Sequence, residues 1–110
     1  MSGSKGGKTD PKAELKVELT EISKDLPGVI NRASSQVMKE GPNLVNCTNL
    51  FTSADMVQQL VDATNRLNDP ALAKTVITNV NTVDVPRLNS SVSSCKQEIR
   101  RLDQKLNPPA

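Results

Sequence analysis

The stretch LNSSVSSCKQEIRRLDQKL, residues 88–106, decides the fold class of this chain. Its apolar residues recur at alternating spacings of four and three, which places them along one face of an α-helix. They are Leu88, Val92, Cys95, Ile99, Leu102 and Leu106. This spacing is typical of a coiled coil or a helical bundle, and the two prolines that follow Asn107 are expected to end the helix.

A second stripe of the same kind begins near residue 15. Its members are Leu15, Leu19, Ile22, Leu26, Val29, Ala33 and Val37. Asp10 is expected to cap this helix, with Pro11 in its first turn. The pair Pro27-Gly28 interrupts the stripe, and such a pair favours a break or a sharp kink over a straight helix. The sequence therefore predicts either one kinked helix or two shorter ones.

Two more helices are predicted between these stripes. After Gly41-Pro42, residues 43–52 are typical of a connecting loop, so Thr52 or Ser53 is expected to cap the next helix. Asp69 followed by Pro70 predicts the start of another helix, and Val85-Pro86 predicts the boundary before the last one. The apolar stripe consists of Met56, Leu60, Ala63 and Leu67 in the first of these helices and of Leu72, Val76, Val80 and Val83 in the second.

These elements predict an all-α protein. Short connections favour antiparallel neighbours, so we expect an antiparallel bundle of four helices, or five if Pro27 breaks the first. Residues 11–107 are expected to form this single domain. Residues 1–10 have no apolar side chain after Met1, and a disordered, flexible tail with a basic character is predicted there.

Charge is concentrated in two places. The chain carries a net charge of +2, which Lys5, Lys8 and Lys12 against Asp10 account for, so the remainder is neutral. A second group of cations lies near the end of the last predicted helix, where it also complements the helix dipole. This group, Lys96, Arg100, Arg101 and Lys105, supplies the candidate partner-binding residues.

Side chains that perform chemistry at neutral pH are scarce. The sequence has no histidine, tryptophan or tyrosine and one phenylalanine, Phe51. A general base poised near neutrality is most often histidine, and no cysteines or carboxylates have the spacing of a metal site. We therefore predict that the chain is not an enzyme and has no catalytic residues, metal site or cofactor.

Cys47 and Cys95 are far apart and form no Cys-x-x-Cys motif. The favoured interpretation is a pair of reduced, buried thiols in a cytoplasmic protein, since neither an apolar signal segment nor a membrane span is visible. The alternative is a disulfide in the trimmed form of a secreted protein. In that case Asn46-Cys47-Thr48 and Asn89-Ser90-Ser91 would be glycosylation sequons.

The leading functional hypothesis is a non-enzymatic helical protein–protein interaction module, either an adaptor or a structural subunit that buries one apolar stripe in a larger assembly. Three alternatives stay open. The first is a self-assembling filament, coat or secretion-apparatus subunit. The second is nucleic-acid packaging through the N-terminal lysines and the cations of the last helix. The third is a carrier of apolar ligands held between the helices.

Overall fold

The computed structural model of the protein describes residues 11–107. Within this range it is all-helical, with α1 (Pro11–Glu40), α2 (Leu44–Arg66), α3 (Pro70–Val80) and α4 (Val85–Leu106). The predicted all-α class is confirmed. The predicted tail over residues 1–10, including the Asp10 cap, lies outside the described residues.

Helix α1 runs through Pro27 without interruption, so the alternative of two shorter helices is wrong, and the described residues form the four helices that were expected without a break. Pro27 has no N–H to donate to the carbonyl of Ser23, four residues earlier. Both residues are buried, and Asn79 of α3 donates its Nδ2 to Ser23 Oγ at 2.9 Å. Packing against α3 thus stabilises α1 at the turn where its own hydrogen bonding is weakest.

Helix α2 begins at Leu44, so the predicted loop over residues 43–52 is also wrong. Asn43 is the N-cap, and its Oδ1 accepts the N–H of Asn46 at 2.9 Å. Ser53, predicted as a cap, lies inside the helix and donates its hydroxyl to the carbonyl of Leu50. The buried face of this segment combines Asn46 with apolar residues, and a search for apolar spacing alone misses such a face.

We expect Asn43→Ala to lower the free energy of unfolding by about 1 kcal/mol, because it removes the side-chain oxygen that caps α2. Urea denaturation measures this difference. Asn49→Ala is the matched control, since Asn49 is an exposed residue inside the same helix, where alanine is well tolerated. Equal destabilisation by both substitutions would contradict the capping role.

Helices α3 and α4 follow one another along α1. Lys16 Nζ lies 2.9 Å from Asp69 Oδ2 at the start of α3, and Ser91 Oγ of α4 donates to the carbonyl of Ser34 at 2.9 Å. From Lys16 to Ser34 along α1, the contacting residues advance from Asp69 to Ser91. Helices α3 and α4 therefore run in the same direction as α1. They do not pack side by side with each other, so their short connection joins them end to end rather than as the expected antiparallel neighbours.

Two apolar clusters lie along α1. The first comprises Leu26, Ile30, Leu60, Leu72 and Val76, and the second comprises Val37, Cys47, Leu50 and Cys95. In the second cluster, Cys47 and Leu50 from the start of α2 pack with Val37 from the end of α1. In the first cluster, Leu60 from the end of α2 packs with Leu26 and Ile30 from earlier turns of α1, so these two helices are antiparallel. Helix α1 therefore contacts each of the other three helices.

Cys47 and Cys95 form a disulfide, with their Cα atoms 5.7 Å apart, so the expectation of reduced thiols is wrong. The sequence hides this pairing because the two residues are 48 positions apart and meet only when α2 and α4 both pack on α1. Disulfides persist in oxidising compartments. The disulfide was the alternative interpretation of the sequence, in which the chain is the trimmed form of a secreted protein.

None of the four described helices combines the length and the hydropathy that crossing a lipid bilayer requires.

Candidate interaction surface

The end of α4 extends beyond the rest of the described structure. Val37 packs in the same cluster as Cys95, and α1 ends three residues after Val37, whereas α4 continues for eleven residues after Cys95. With a rise of about 1.5 Å per residue, α4 reaches roughly 12 Å further than α1. Residues 96–106, termed the α4 extension, are all exposed except the partly exposed Glu98.

The apolar stripe of α4 is divided by this geometry. Its first half packs inside the chain, with Cys95 fully buried and Leu88 and Val92 partly buried. Its second half is solvent-accessible, with exposed fractions of 53% for Ile99, 45% for Leu102 and 79% for Leu106. The sequence predicted the stripe but not that the chain itself covers half of it.

The four predicted partner-binding residues all lie on the α4 extension and are all exposed. Lys96 and Arg100 are one helical turn apart, as are Arg101 and Lys105. At about 100° per residue the two pairs are separated by roughly 140° around the helix, on the side away from the apolar stripe. They form a broad basic face rather than a pocket, and their role in binding stays a prediction.

Arg101 also forms an ion pair within the extension. Its Nη2 lies 2.6 Å from Glu98 Oε2, and its Nε donates to Glu98 Oε1 at 2.8 Å. The hydrogen bonds from Arg101, aided by the charges of Arg101 and Lys105, hold the pKa of Glu98 below its ordinary value. Glu98 therefore stays ionised at neutral pH, and the positive field of this face comes mainly from Lys96, Arg100 and Lys105.

A second candidate surface is a groove of about 350 Å³ between α1 and α2. Its apolar lining includes Val29 and Met56, with exposed fractions of 40% and 43%. All of its lining residues come from α1 and α2, whereas the face of α1 that bears Ser34 contacts α4. We term this feature the α1/α2 groove.

The line of Val29 continues toward the start of α1. Leu15, Ile22 and Val29 repeat every seven residues, and their exposed fractions are 47%, 43% and 40%. All three belong to the predicted stripe of the first helix, but the core face of α1 is centred on Ile30 and on small buried residues such as Ser23. Of the three, Val29 lines the α1/α2 groove, and Ile22 and Leu15 continue the same side of α1 toward its start.

Carboxylates accompany this line. Glu18 and Asp25 follow Leu15 and Ile22 by three residues each, which places them on the same side of the helix, and both are exposed. Glu14 and Glu21 are exposed on the same flank, although Glu21 lies 3.7 Å from Lys24. This side of α1 is therefore acidic along its first half, whereas the charged residue that lines the groove itself is Arg32.

Among residues 11–107, no group of three or more histidine, cysteine, aspartate or glutamate side chains is placed to hold a metal ion. Comparison of the chain with protein-family models, curated proteins and solved structures gave no match. The functional proposal therefore depends on the two surfaces described above.

Proposed function

We propose that the chain is a non-enzymatic helical interaction module that docks the apolar stripe of the α4 extension on a protein partner. The observation that carries this proposal is the exposure of Ile99, Leu102 and Leu106 on one face of a helix that extends beyond the core. Covering each half-exposed side chain would contribute roughly 1 kcal/mol or more to association. The basic face on the other side of the α4 extension would steer an acidic partner toward this end of the molecule.

The disulfide supports a second part of this proposal, which concerns where the module works. Cys47–Cys95 closes the chain between the start of α2 and the middle of α4, directly before the extension. Since such bonds are kept in oxidising surroundings, the module is proposed to act outside the cell or in another oxidising compartment. The α4 extension would then be held at a fixed angle to the core.

Site-specific photo-cross-linking tests the proposal. The experiment is performed in the organism that makes the protein, with benzoylphenylalanine in place of Leu102. This variant is expected to form at least about five-fold more cross-linked protein adduct than a variant with benzoylphenylalanine in place of Gln104. Gln104 is the matched control because two residues along a helix point to nearly opposite sides. Equal adducts from both positions, or no adduct from position 102, would contradict docking through the stripe.

The ligand-carrier alternative finds no room between α2 and α3. The pocket between α2 and α3, lined by Thr64 and Val76 among others, has a volume of about 10 Å³. This is space for about one water molecule and not for an apolar ligand.

A further inference from the structure

We propose that Asn89 of α4 is a site of N-linked glycosylation, and that the similar tripeptide at Asn46 is not used. This inference rests on the part of the proposed function that places the module in an oxidising compartment, and it adds a covalent modification of the chain there. The sequence treats the two asparagines alike, whereas their surroundings in the fold differ.

The chain contains two tripeptides of the form Asn-x-Ser/Thr in which x is not proline, Asn46-Cys47-Thr48 and Asn89-Ser90-Ser91. Enzymes that attach N-linked glycans recognise this pattern. They work in the lumen of the endoplasmic reticulum, which is also a compartment where disulfides form. The Cys47–Cys95 disulfide therefore points to surroundings in which such tripeptides are acceptors.

Asn46 has no room for a glycan in the folded protein. It is 6% exposed, and its Nδ2 donates to the carbonyl of Gly41 at 3.1 Å. The next residue is Cys47, which the disulfide holds in the second apolar cluster. Even a few extra atoms in a packed interior are destabilising, and a sugar ring is far larger. A chain modified at Asn46 would therefore not reach this fold.

Asn89 lies on the solvent side of α4. Pro86 and Ser93, which are its neighbours on the helix surface at spacings of three and four, are exposed like Asn89 itself. Ser91, two positions later, is fully buried and packs on α1 at Ser34, so Asn89 points to nearly the opposite side. A glycan on Nδ2 of Asn89 would project away from α1 into solvent.

A glycan at this position leaves the α4 extension accessible. Asn89 precedes Ile99 by ten residues, which is about 15 Å along the helix axis. At about 100° per residue, Asn89 also lies roughly 110° around α4 from the centre of the apolar stripe. Glycosylation of Asn89 and docking through the stripe are therefore compatible.

Ser91 determines the order of modification and folding. Recognition of the tripeptide requires the hydroxyl of its third residue in a chain that is not yet helical. In the folded protein this hydroxyl has no exposed surface and donates to the carbonyl of Ser34 at 2.9 Å. The glycan is therefore attached before α4 packs on α1, and the folded protein is not an acceptor.

The transfer step forms one bond and breaks one. Nδ2 of Asn89 attacks the anomeric carbon of an oligosaccharide that is carried on a lipid diphosphate, and a carbon–nitrogen bond forms. The bond from that carbon to the diphosphate oxygen breaks, and the lipid diphosphate leaves with the electron pair. One of the two protons of Nδ2 passes to a carboxylate of the transferring enzyme, and no oxidant or reductant takes part.

Deglycosylation of the protein isolated from the organism that makes it tests this inference. Peptide:N-glycosidase converts a glycosylated asparagine into aspartate, and in heavy-oxygen water the new carboxylate carries the isotope. Peptide mass spectrometry is expected to find the isotope at position 89 and not at position 46. Isotope at position 46, or at neither position, would overturn the inference.

Two variants made in the same organism form a matched pair. Asn89→Gln removes the acceptor at an exposed position and is expected to lose the glycan completely. Thr48→Ala destroys the other tripeptide by changing an exposed residue, leaves Asn46 in place, and is expected to keep the whole glycan mass of the wild type. A glycan that survives Asn89→Gln, or that shrinks in Thr48→Ala, would assign the modification to the wrong asparagine.

Alkylation of thiols in the isolated protein separates failure of this inference from failure of the proposed function. A chain with the disulfide but without a glycan would reject the Asn89 site and keep the oxidising compartment. Free thiols together with an unmodified Asn89 would reject both.

Discussion

Reduction of the Cys47–Cys95 disulfide is expected to lower the free energy of unfolding by about 4 kcal/mol. This figure is the chain-entropy cost of closing a loop of 48 residues in the unfolded chain. For a domain of roughly 100 residues such a loss is a large share of a total of about 5–15 kcal/mol, and it corresponds to a decrease in melting temperature of about 20 °C. The denaturant m-value is expected to rise, because the reduced unfolded chain is more expanded.

Urea denaturation with and without reductant measures this effect on one and the same sequence. The control is the double variant Cys47→Ala/Cys95→Ala, whose stability should be low and independent of reductant. Both cysteines are buried in the second apolar cluster, so alanine keeps their surroundings apolar. A native protein with two thiols accessible to alkylation after unfolding without reductant would contradict the disulfide.

Ile30→Ala is expected to lower the free energy of unfolding by about 3 kcal/mol. Ile30 has no exposed surface and packs in the first cluster with Leu26, Leu60, Leu72 and Val76. These neighbours belong to three helices, so a cavity left by three missing carbon atoms cannot be filled by the movement of a single element. Ile30→Val should cost about 1 kcal/mol, since it removes a single methylene group.

Val17→Ala is the matched control for this series. Val17 lies in the same helix but is 62% exposed, and alanine is the better helix former, so we expect a change within about 0.5 kcal/mol. Thermal and urea denaturation of the three variants measures the ranking. If Ile30→Ala were as stable as Val17→Ala, Ile30 would not be the centre of the core.

Helix boundaries that depend on neighbouring residues were predictable from the sequence. Asp69 is confirmed as the cap of α3, since its Oδ1 accepts the N–H groups of Ala71 and Leu72, and Asp84 caps α4 through the N–H of Arg87. Lys16 and these backbone donors also hold the pKa of Asp69 below its ordinary value. Its stabilising contribution is therefore present above the ordinary pKa and is lost as the pH falls through the lowered one.

Features that depend on distant contacts were not predictable in this way. Helix α1 continues through Pro27, where Asn79 of another helix binds the side chain of Ser23, and the first turn of α2 buries the polar side chain of Asn46. The disulfide requires α2 and α4 to meet at α1. In each case tertiary packing outweighs a local preference that the sequence pattern alone would favour.

The candidate surface was predictable in part. The sequence identified the stripe of the last helix and the four cations of the extension, but the exposure of Leu102 depends on where α1 ends. The sequence pattern did not identify the groove, because Ile22 and Val29 share the four-three spacing of the residues that are buried. Distinguishing the two sets requires the position of α2.

The central position of α1 also has a consequence for the order of folding during synthesis. Helix α1 emerges first, yet its packing partners follow one after another, and α4 emerges last. Because Cys95 lies in α4, the covalent link cannot form until nearly the whole described chain has been translated. Oxidation of the two cysteines is therefore a late event in the maturation of this protein. The disulfide then stabilises a packing of helices that has already formed around α1.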